Sequence, residues 1–282
     1  MISVSRIICR VMLLAASLAM ASCADLAGVR EFASLSASIT GSGEMSARWR
    51  DTQERLGAIP QPGDFPLNVT TGDRKAVHQE TEKMLAIVTI YMETMGQLAA
   101  DNLPSVDSQV AGLTKSLSAL PSTPITPQRV EAIGILGNLL SLPLDAYRQK
   151  QVRKLIEQAD GPLQNVLAGL VQLAAIYKSD LNNERKAVRD WAALQVTGTG
   201  NTSADFLSRR YIMDLNRKYD DVEAGIDAYI KALKLIAARH EALVNGLATA
   251  ETITRTVQQL SASRLELIEA RDKIRVALAQ KV

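Results

Sequence analysis

Apolar residues recur every three or four positions along most of this chain, and this spacing constrains the fold more than any other feature. The clearest run extends from Leu215 to Leu247, and His240 is its only member that is not apolar. Such a period places apolar side chains on one face of an α-helix, whereas a half-buried strand alternates at every second residue. No window shows sustained strand-type alternation. The sequence therefore predicts an all-α protein, an elongated antiparallel bundle of about five or six long helices.

Composition supports the same fold class. Only 4% of the 282 residues are aromatic, and the apolar mass is mostly Ala and Leu. This balance favours helices over a β-sandwich or barrel, whose strands are rich in β-branched and aromatic side chains.

Proline and glycine set the predicted helix boundaries. Gly161 followed by Pro162 predicts a helix end there, with Asp160 as the cap of the next helix. Asn245-Gly246 is either a turn into an antiparallel last helix or a flaw in one continuous helix, and the glycine favours the turn. The predicted helices cover Asp25 to Leu56 with an interruption at Gly41–Gly43, Arg74 to Asp101, Ser105 to Leu120, Pro127 to Asp160 with a kink or end at Pro143, Pro162 to Val196, Ser203 to Asn245, and a final helix to the C-terminus. We expect residues 23–282 to form one domain, with a subdivision near 121–126 as the alternative.

The first 22 residues have the pattern of a secretory signal. Arg6 and Arg10 precede an unbroken run of apolar and small residues from Val11 to Ala21. A helix of that length spans only ~16 Å at ~1.5 Å per residue. Because a bilayer core is ~30 Å thick, we expect a cleaved signal peptide rather than a transmembrane anchor.

The end of this signal, Met20-Ala21-Ser22-Cys23, resembles the lipobox of bacterial lipoproteins. The resemblance covers residues 1–23 only. It implies cleavage between Ser22 and Cys23, diacylglyceryl transfer to the Cys23 thiol, and acylation of the new amine, as with palmitate. Two or three acyl chains give stable membrane attachment, which one chain does not. By the same resemblance, Ala24 after the cysteine implies the outer membrane, with the body facing the periplasm.

Two other interpretations of this segment remain open. Ala19-Met20-Ala21 also fits an ordinary signal-peptidase site, which leaves a soluble protein with a free Cys23. Cys23 can also be an incidental small apolar residue.

Charge argues against a nucleic-acid partner. Of the 32 Lys and Arg residues, two lie in the signal, so the processed chain has 30 cations against 30 Asp and Glu. Nucleic-acid binding needs a basic surface that releases counterions.

No pattern of catalytic or metal-ligating residues stands out. Neither His78 nor His240 belongs to a Glu-x-x-His motif, so we interpret His240 as a core-edge histidine bonded to a neighbour. Hydrolase signatures are missing from the sequence, and we predict no enzyme activity and no cofactor. Three weaker candidates each have a plainer interpretation. We interpret the methionines Met84, Met92 and Met95 as gap fillers in the core rather than copper(I) ligands, and the acidic group Asp220, Asp221 and Glu223 as a solvated face. Two basic groups serve solubility, or else contact anionic headgroups or an acidic partner: Arg148, Lys150, Arg153 and Lys154, and then Arg209, Arg210, Arg217 and Lys218.

These observations favour a membrane-anchored envelope lipoprotein that serves as a non-catalytic helical scaffold or adaptor. Its expected partners are the lipid bilayer, through acylated Cys23, and other envelope proteins. The alternative is a binding module that holds an apolar or amphipathic ligand between helices, since small residues such as Ala174 and Ala192 could leave a groove.

Overall fold

The computed structural model describes residues 27–41, 43–59, 71–100, 127–140, 148–196, 202–246 and 250–280. Helices account for 96% of these residues, and none of them forms a strand. The prediction of an all-α helical bundle is therefore confirmed. The helices are α1 (27–40), α2 (Glu44–Arg50), α3 (Thr52–Gly57), α4 (Thr71–Ala99), α5 (Pro127–Leu140), α6 (Arg148–Val196), α7 (Thr202–Gly246) and α8 (Ala250–Ala279).

The apolar period decides which face of each helix is buried. In α4 every residue of the three-and-four spacing from Val77 to Leu98 is buried, and α1 to α3 follow the same rule from Val29 to Leu56. One cluster of buried apolar side chains extends from Val29 to Ile274. Because all the long helices contribute residues to this cluster, these helices pack side by side around a shared core.

Each of the last two helices runs antiparallel to the one before it. Gln164 of α6 donates to the carbonyl of Ala237 in α7, while further along Lys178 of α6 pairs with Asp227 of α7. Gly225 of α7 faces Ala277 of α8, and Gly246 faces Thr256. The prediction of an antiparallel last helix is thus confirmed, although Asn245 and Gly246 belong to α7 and the connection to α8 lies outside the described residues.

The bundle has two distinct ends. At one end, which we call the base, Glu31 of α1 pairs with Arg264 of α8, and the neighbouring Ser263 bonds to Arg239 of α7. At the other end lies the hairpin tip, which we define as residues 188–196 of α6 and 202–217 of α7. The stretch of α7 between Phe206 and Arg239 spans about 50 Å at ~1.5 Å per residue.

The predicted helix end at Gly161 is wrong. α6 continues through Gly161 and Pro162 from Arg148 to Val196. Proline removes one backbone hydrogen bond, which disfavours but does not forbid a helix. The buried face continues on both sides, with Ile156 and Ala159 before the proline and Leu163 after it. Burial of that common face outweighs the local cost, and Asp160 caps no helix.

The interruption predicted at Gly41–Gly43 is confirmed, and a second break at Asp51 was not predicted. Asp51 has φ −86° and ψ 5°, and its carboxylate accepts two hydrogen bonds from Arg50. The kink or end at Pro143, the helix over 105–120, the subdivision near 121–126 and the signal over 1–22 lie outside the described residues. None of the described helices has an apolar stretch long enough to cross a bilayer.

Candidate functional site

The predicted lipid-attachment and cleavage residues, Cys23 and Ser22, lie outside the described residues. Residue 27 in α1 is the first of the described residues. The first turns of α1 pack against α8 through Glu31 and Arg264. The candidate sites within the bundle are therefore its buried polar clusters.

His240 links three helices. Its ring is fully buried, and its Nδ1 lies 2.8 Å from Asp160 Oδ1 on α6 while its Nε2 lies 2.6 Å from Tyr91 Oη on α4. Gln164 also donates to Asp160 Oδ1, at 3.1 Å. His240 is thus a core histidine bonded to neighbours, as the helix pattern predicts. We call Tyr91, His240 and Asp160 the histidine brace.

The order carboxylate, imidazole, hydroxyl also occurs in acid–base relays, but this environment favours a structural link. The hydrogen bond from His240 holds the pKa of Asp160 below its ordinary value, so the carboxylate stays charged and accepts from Nδ1–H. Nε2 is then free to accept the Tyr91 hydroxyl. Burial raises the pKa of Tyr91, which is 0% exposed. The hydroxyl keeps its proton and is closed off from solvent.

His78 makes a hydroxyl–imidazole pair with Ser46. Its Nδ1 lies 2.8 Å from Ser46 Oγ, and its Nε2 lies 3.0 Å from Arg50 Nη1. Because a guanidinium only donates, Nε2 must accept, and the ring proton sits on Nδ1. Burial and the nearby Arg50 charge lower the pKa of His78. In this tautomer the imidazole donates to Ser46 and cannot take its proton, so the pair is not an activated nucleophile.

A cluster of buried charges lies in the middle of the bundle. Asp180 of α6 and Arg74 of α4 form an ion pair of 2.6 Å, and both side chains are 0% exposed. Asp180 also accepts from Trp49 Nε1 at 2.9 Å, and the Arg74 guanidinium lies 5.4 Å from the centre of the Trp49 ring. These contacts tie α2, α4 and α6 together.

One turn further along α6, Glu184 accepts a bidentate pair from Arg55 of α3, with both N···O distances 2.8 Å. Tyr219 of α7 donates to the same carboxylate at 3.2 Å. Burial and this neighbouring carboxylate raise the pKa of Tyr219, so the phenol remains a donor. We call Arg55, Arg74, Asp180 and Glu184 the central charge cluster.

Sequence reasoning missed this cluster, although the pattern contained a signal for it. Arg74 lies three residues before Val77 and so continues the buried spacing of α4. Asp180 and Glu184 continue the α6 spacing after Tyr177. Charged residues at positions that the period assigns to a core mark a buried ion pair, because an unpaired charge there is very costly.

The methionine and acidic candidates, and Arg153 of the first basic group, lie where their plainer interpretations place them. Met84, Met92 and Met95 are fully buried core residues of α4. Asp220 and Glu223 pair with Arg185 of α6, and Arg153 pairs with Glu157. Within the described ranges no group of three or more His, Cys, Asp or Glu side chains is placed to hold a metal ion.

The space between the helices beside Ser46 and Trp49 is small. A cavity of about 30 Å³ lies between α2, α4, α6 and α7, lined by Ser46, Trp49, Tyr177 and apolar neighbours. A volume of that size holds one or two water molecules, whereas a benzene-sized ligand needs roughly 150 Å³. The cavity therefore gives no support to an apolar ligand held between these helices.

Comparison with known proteins adds no family or relative. The chain has no significant match among protein families, characterised proteins or solved structures.

Proposed function

We propose that this chain is a membrane-anchored envelope lipoprotein that acts as a non-catalytic helical scaffold or adaptor. The lipobox-type sequence at Ser22 and Cys23 supports the anchor, and the position of α1 supports the mechanical role. Only three residues separate Cys23 from residue 27, where the described part of α1 begins. At no more than ~3.6 Å for each of the four steps along the chain, this connection can span about 14 Å.

This short connection joins the attachment point to one particular end of the bundle. The described part of α1 begins at the base, beside Arg264 of α8, and the hairpin tip lies about 50 Å away along α7. A bundle held by its base stays close to the membrane, with its tip at a fixed reach from the anchor. Such an arrangement suits a fixed component of a complex. This geometry is the observation that carries the proposal.

The interior is suited to holding a shape. The histidine brace joins α4, α6 and α7, and the central charge cluster joins α2, α3, α4 and α6 with Tyr219 of α7. Buried polar contacts of this kind are satisfied in one arrangement only, so they favour a single packing of the helices.

Replacement of Cys23 tests the anchor. In Cys23→Ala the thiol that would carry the lipid is gone, so we expect the chain to move from the membrane fraction to the soluble fraction. Its intact mass should correspond to unmodified amino acids. Ser22→Ala is the matched control, because alanine keeps a small residue before the cysteine and should leave anchoring unchanged. Equal retention of Cys23→Ala and the parent chain on membranes washed with high salt, which releases chains held by surface charge alone, would rule out the lipid anchor.

The adaptor role needs a separate measurement. Cross-linking in intact cells should join the anchored chain to the same few envelope proteins in repeated experiments. If the chain is anchored but gives no reproducible cross-linked protein, the adaptor role is wrong although the anchor is right.

A further inference from the structure

The hairpin tip exposes apolar side chains that have no place in the core. Five of the large apolar residues exposed in the described part of the chain lie here: Leu194 of α6 and Phe206, Leu207, Tyr211 and Met213 of α7, each between 57% and 72% exposed. No residue from 203 to 218 is buried, although all of them belong to a regular helix. Large exposed apolar patches mark surfaces that meet another molecule or a membrane.

These residues form two rows along α7. Phe206 and Met213 are seven positions apart and form one row, and Leu207 and Tyr211 are four apart and form a second row about 130° around the helix at ~100° per residue. Phe206 and Met213 point away from the buried face that begins with Tyr219 and Val222, whereas Tyr211 lies eleven positions before Val222 and on the same side as that face. The row of Phe206 and Met213 is therefore a second apolar face, while Leu207 and Tyr211 lie at the edge of the core seam.

Arginines lie among these apolar side chains. Arg209 and Arg210 are exposed, and neither forms an ion pair with any described residue. Arg217 is 76% exposed and lies 3.5 Å from Asp214. An arginine on such a face covers apolar surface with its stem and presents its guanidinium at the height of a phosphate.

We propose that the hairpin tip is a docking surface for an anionic phospholipid bilayer. The face is convex, so its apolar side chains can enter the interface between headgroups and acyl chains while Arg209 and Arg210 contact the phosphates. Aromatic, leucine and arginine side chains on one exposed helix are the composition that interfacial helices use. A parallel pairing of two copies through this face is disfavoured, because it sets Arg210 against Arg210.

This inference does not depend on the lipid anchor. It is tested on a chain that starts at residue 24 and so lacks Cys23. This shortened chain retains every residue of the described core from Val29 to Ile274. The probes are vesicles of equal parts phosphatidylcholine and phosphatidylglycerol, and neutral vesicles of phosphatidylcholine alone. We expect the chain to co-float with the anionic vesicles at low salt, to be released by high salt, and to stay free of the neutral vesicles.

Two tip variants divide the interaction into its parts. Arg209→Gln/Arg210→Gln should weaken partitioning by about fivefold for each arginine and reduce its salt dependence. Phe206→Ser/Leu207→Ser should also weaken partitioning and leave its salt dependence in place. Leu265→Ser/Arg275→Gln is the matched control, since it removes a side chain that is 74% exposed and another that is 81% exposed, both on α8. This control should bind vesicles as the parent chain does.

Three results would overturn the proposal. The first is the absence of binding to anionic vesicles, or equal losses in the tip variants and the α8 control. The second is a dimer in lipid-free solution that the tip variants dissociate, because the face would then bind a second copy. The third is binding of poly-glutamate, without lipid, that is tighter than binding to the anionic vesicles at the same salt concentration and is lost in Arg209→Gln/Arg210→Gln, because the face would then fit an acidic protein better than a bilayer. Circular dichroism confirms for each variant that helix content is unchanged.

Discussion

The middle of the bundle and its hairpin tip both include α6 and α7, yet the middle buries charged side chains and the tip exposes apolar ones. In the middle, α6 and α7 meet α2, α3 and α4, and charged groups such as Asp180 and Arg74 are fully buried. At the tip, Phe206 and Met213 are more than 60% exposed. Burial thus depends on whether other helices cover α6 and α7. Where they do, charged side chains are buried in pairs, and at the tip even large apolar side chains are exposed.

Removal of one central carboxylate should give the largest contrast between the two regions. Asp180→Ala leaves the buried Arg74 guanidinium and Trp49 Nε1 without this acceptor, and we expect the free energy of unfolding to fall by about 3–5 kcal/mol. Asp214→Ala at the tip removes an exposed partner of Arg217 and should cost less than about 1 kcal/mol. Urea denaturation of both variants measures the difference. Equal losses would show that the two regions do not differ in this way.

Substitution of a glycine at the close contact between α7 and α8 should give the second-largest change in stability. A Cβ added at Gly225 of α7 would overlap the Cβ of Ala277 in α8, whereas one at Gly134 of α5 meets nothing within 4 Å. Gly225→Ala should therefore destabilise the protein by roughly 1–3 kcal/mol through overpacking. Gly134→Ala should stabilise it by about 0.5–1 kcal/mol through helix propensity and the unfolded chain. Thermal unfolding gives both signs, and stabilisation by Gly225→Ala would contradict the close approach.

Acid should weaken the middle through His78, and this effect is the smallest of the three. The pKa of His78 is lower in the folded protein than in the unfolded chain, because of burial and Arg50. The unfolded chain therefore binds more protons below its ordinary pKa of about 6.5, and stability falls as the pH drops below that value. His78→Gln should lose this part of the pH dependence. The check is the free energy of unfolding at several pH values between neutral and mildly acidic. Identical slopes for the variant and the parent would contradict this assignment.

The fold could be predicted from the sequence because burial in a helical bundle follows a fixed period. The spacing from Val77 to Leu98 in α4 was correct, and the boundaries of α7 were correct to within one residue at each end. Prediction failed at Gly161-Pro162, where local propensity indicated an end and tertiary burial of Ile156 and Leu163 maintained the helix.

The buried polar contacts could be predicted only in part. His240 was recognisable from its place on the α7 seam, but its partners Tyr91 and Asp160 lie 149 and 80 positions away in sequence. Such pairs become visible only when the helices are set side by side. Arg74 also continues the buried spacing of α4, but the sequence does not show which carboxylate forms an ion pair with it.

The continuity of α6 has a mechanical consequence. This helix extends for 49 residues, with one hydrogen bond missing where Pro162 has no amide hydrogen. Asp160 and Gln164 stand two positions before and after that gap, and both bond to α7, at His240 and at Ala237. Under a bending load the rod is weakest at the proline, and there two cross-links to the adjacent helix share the strain.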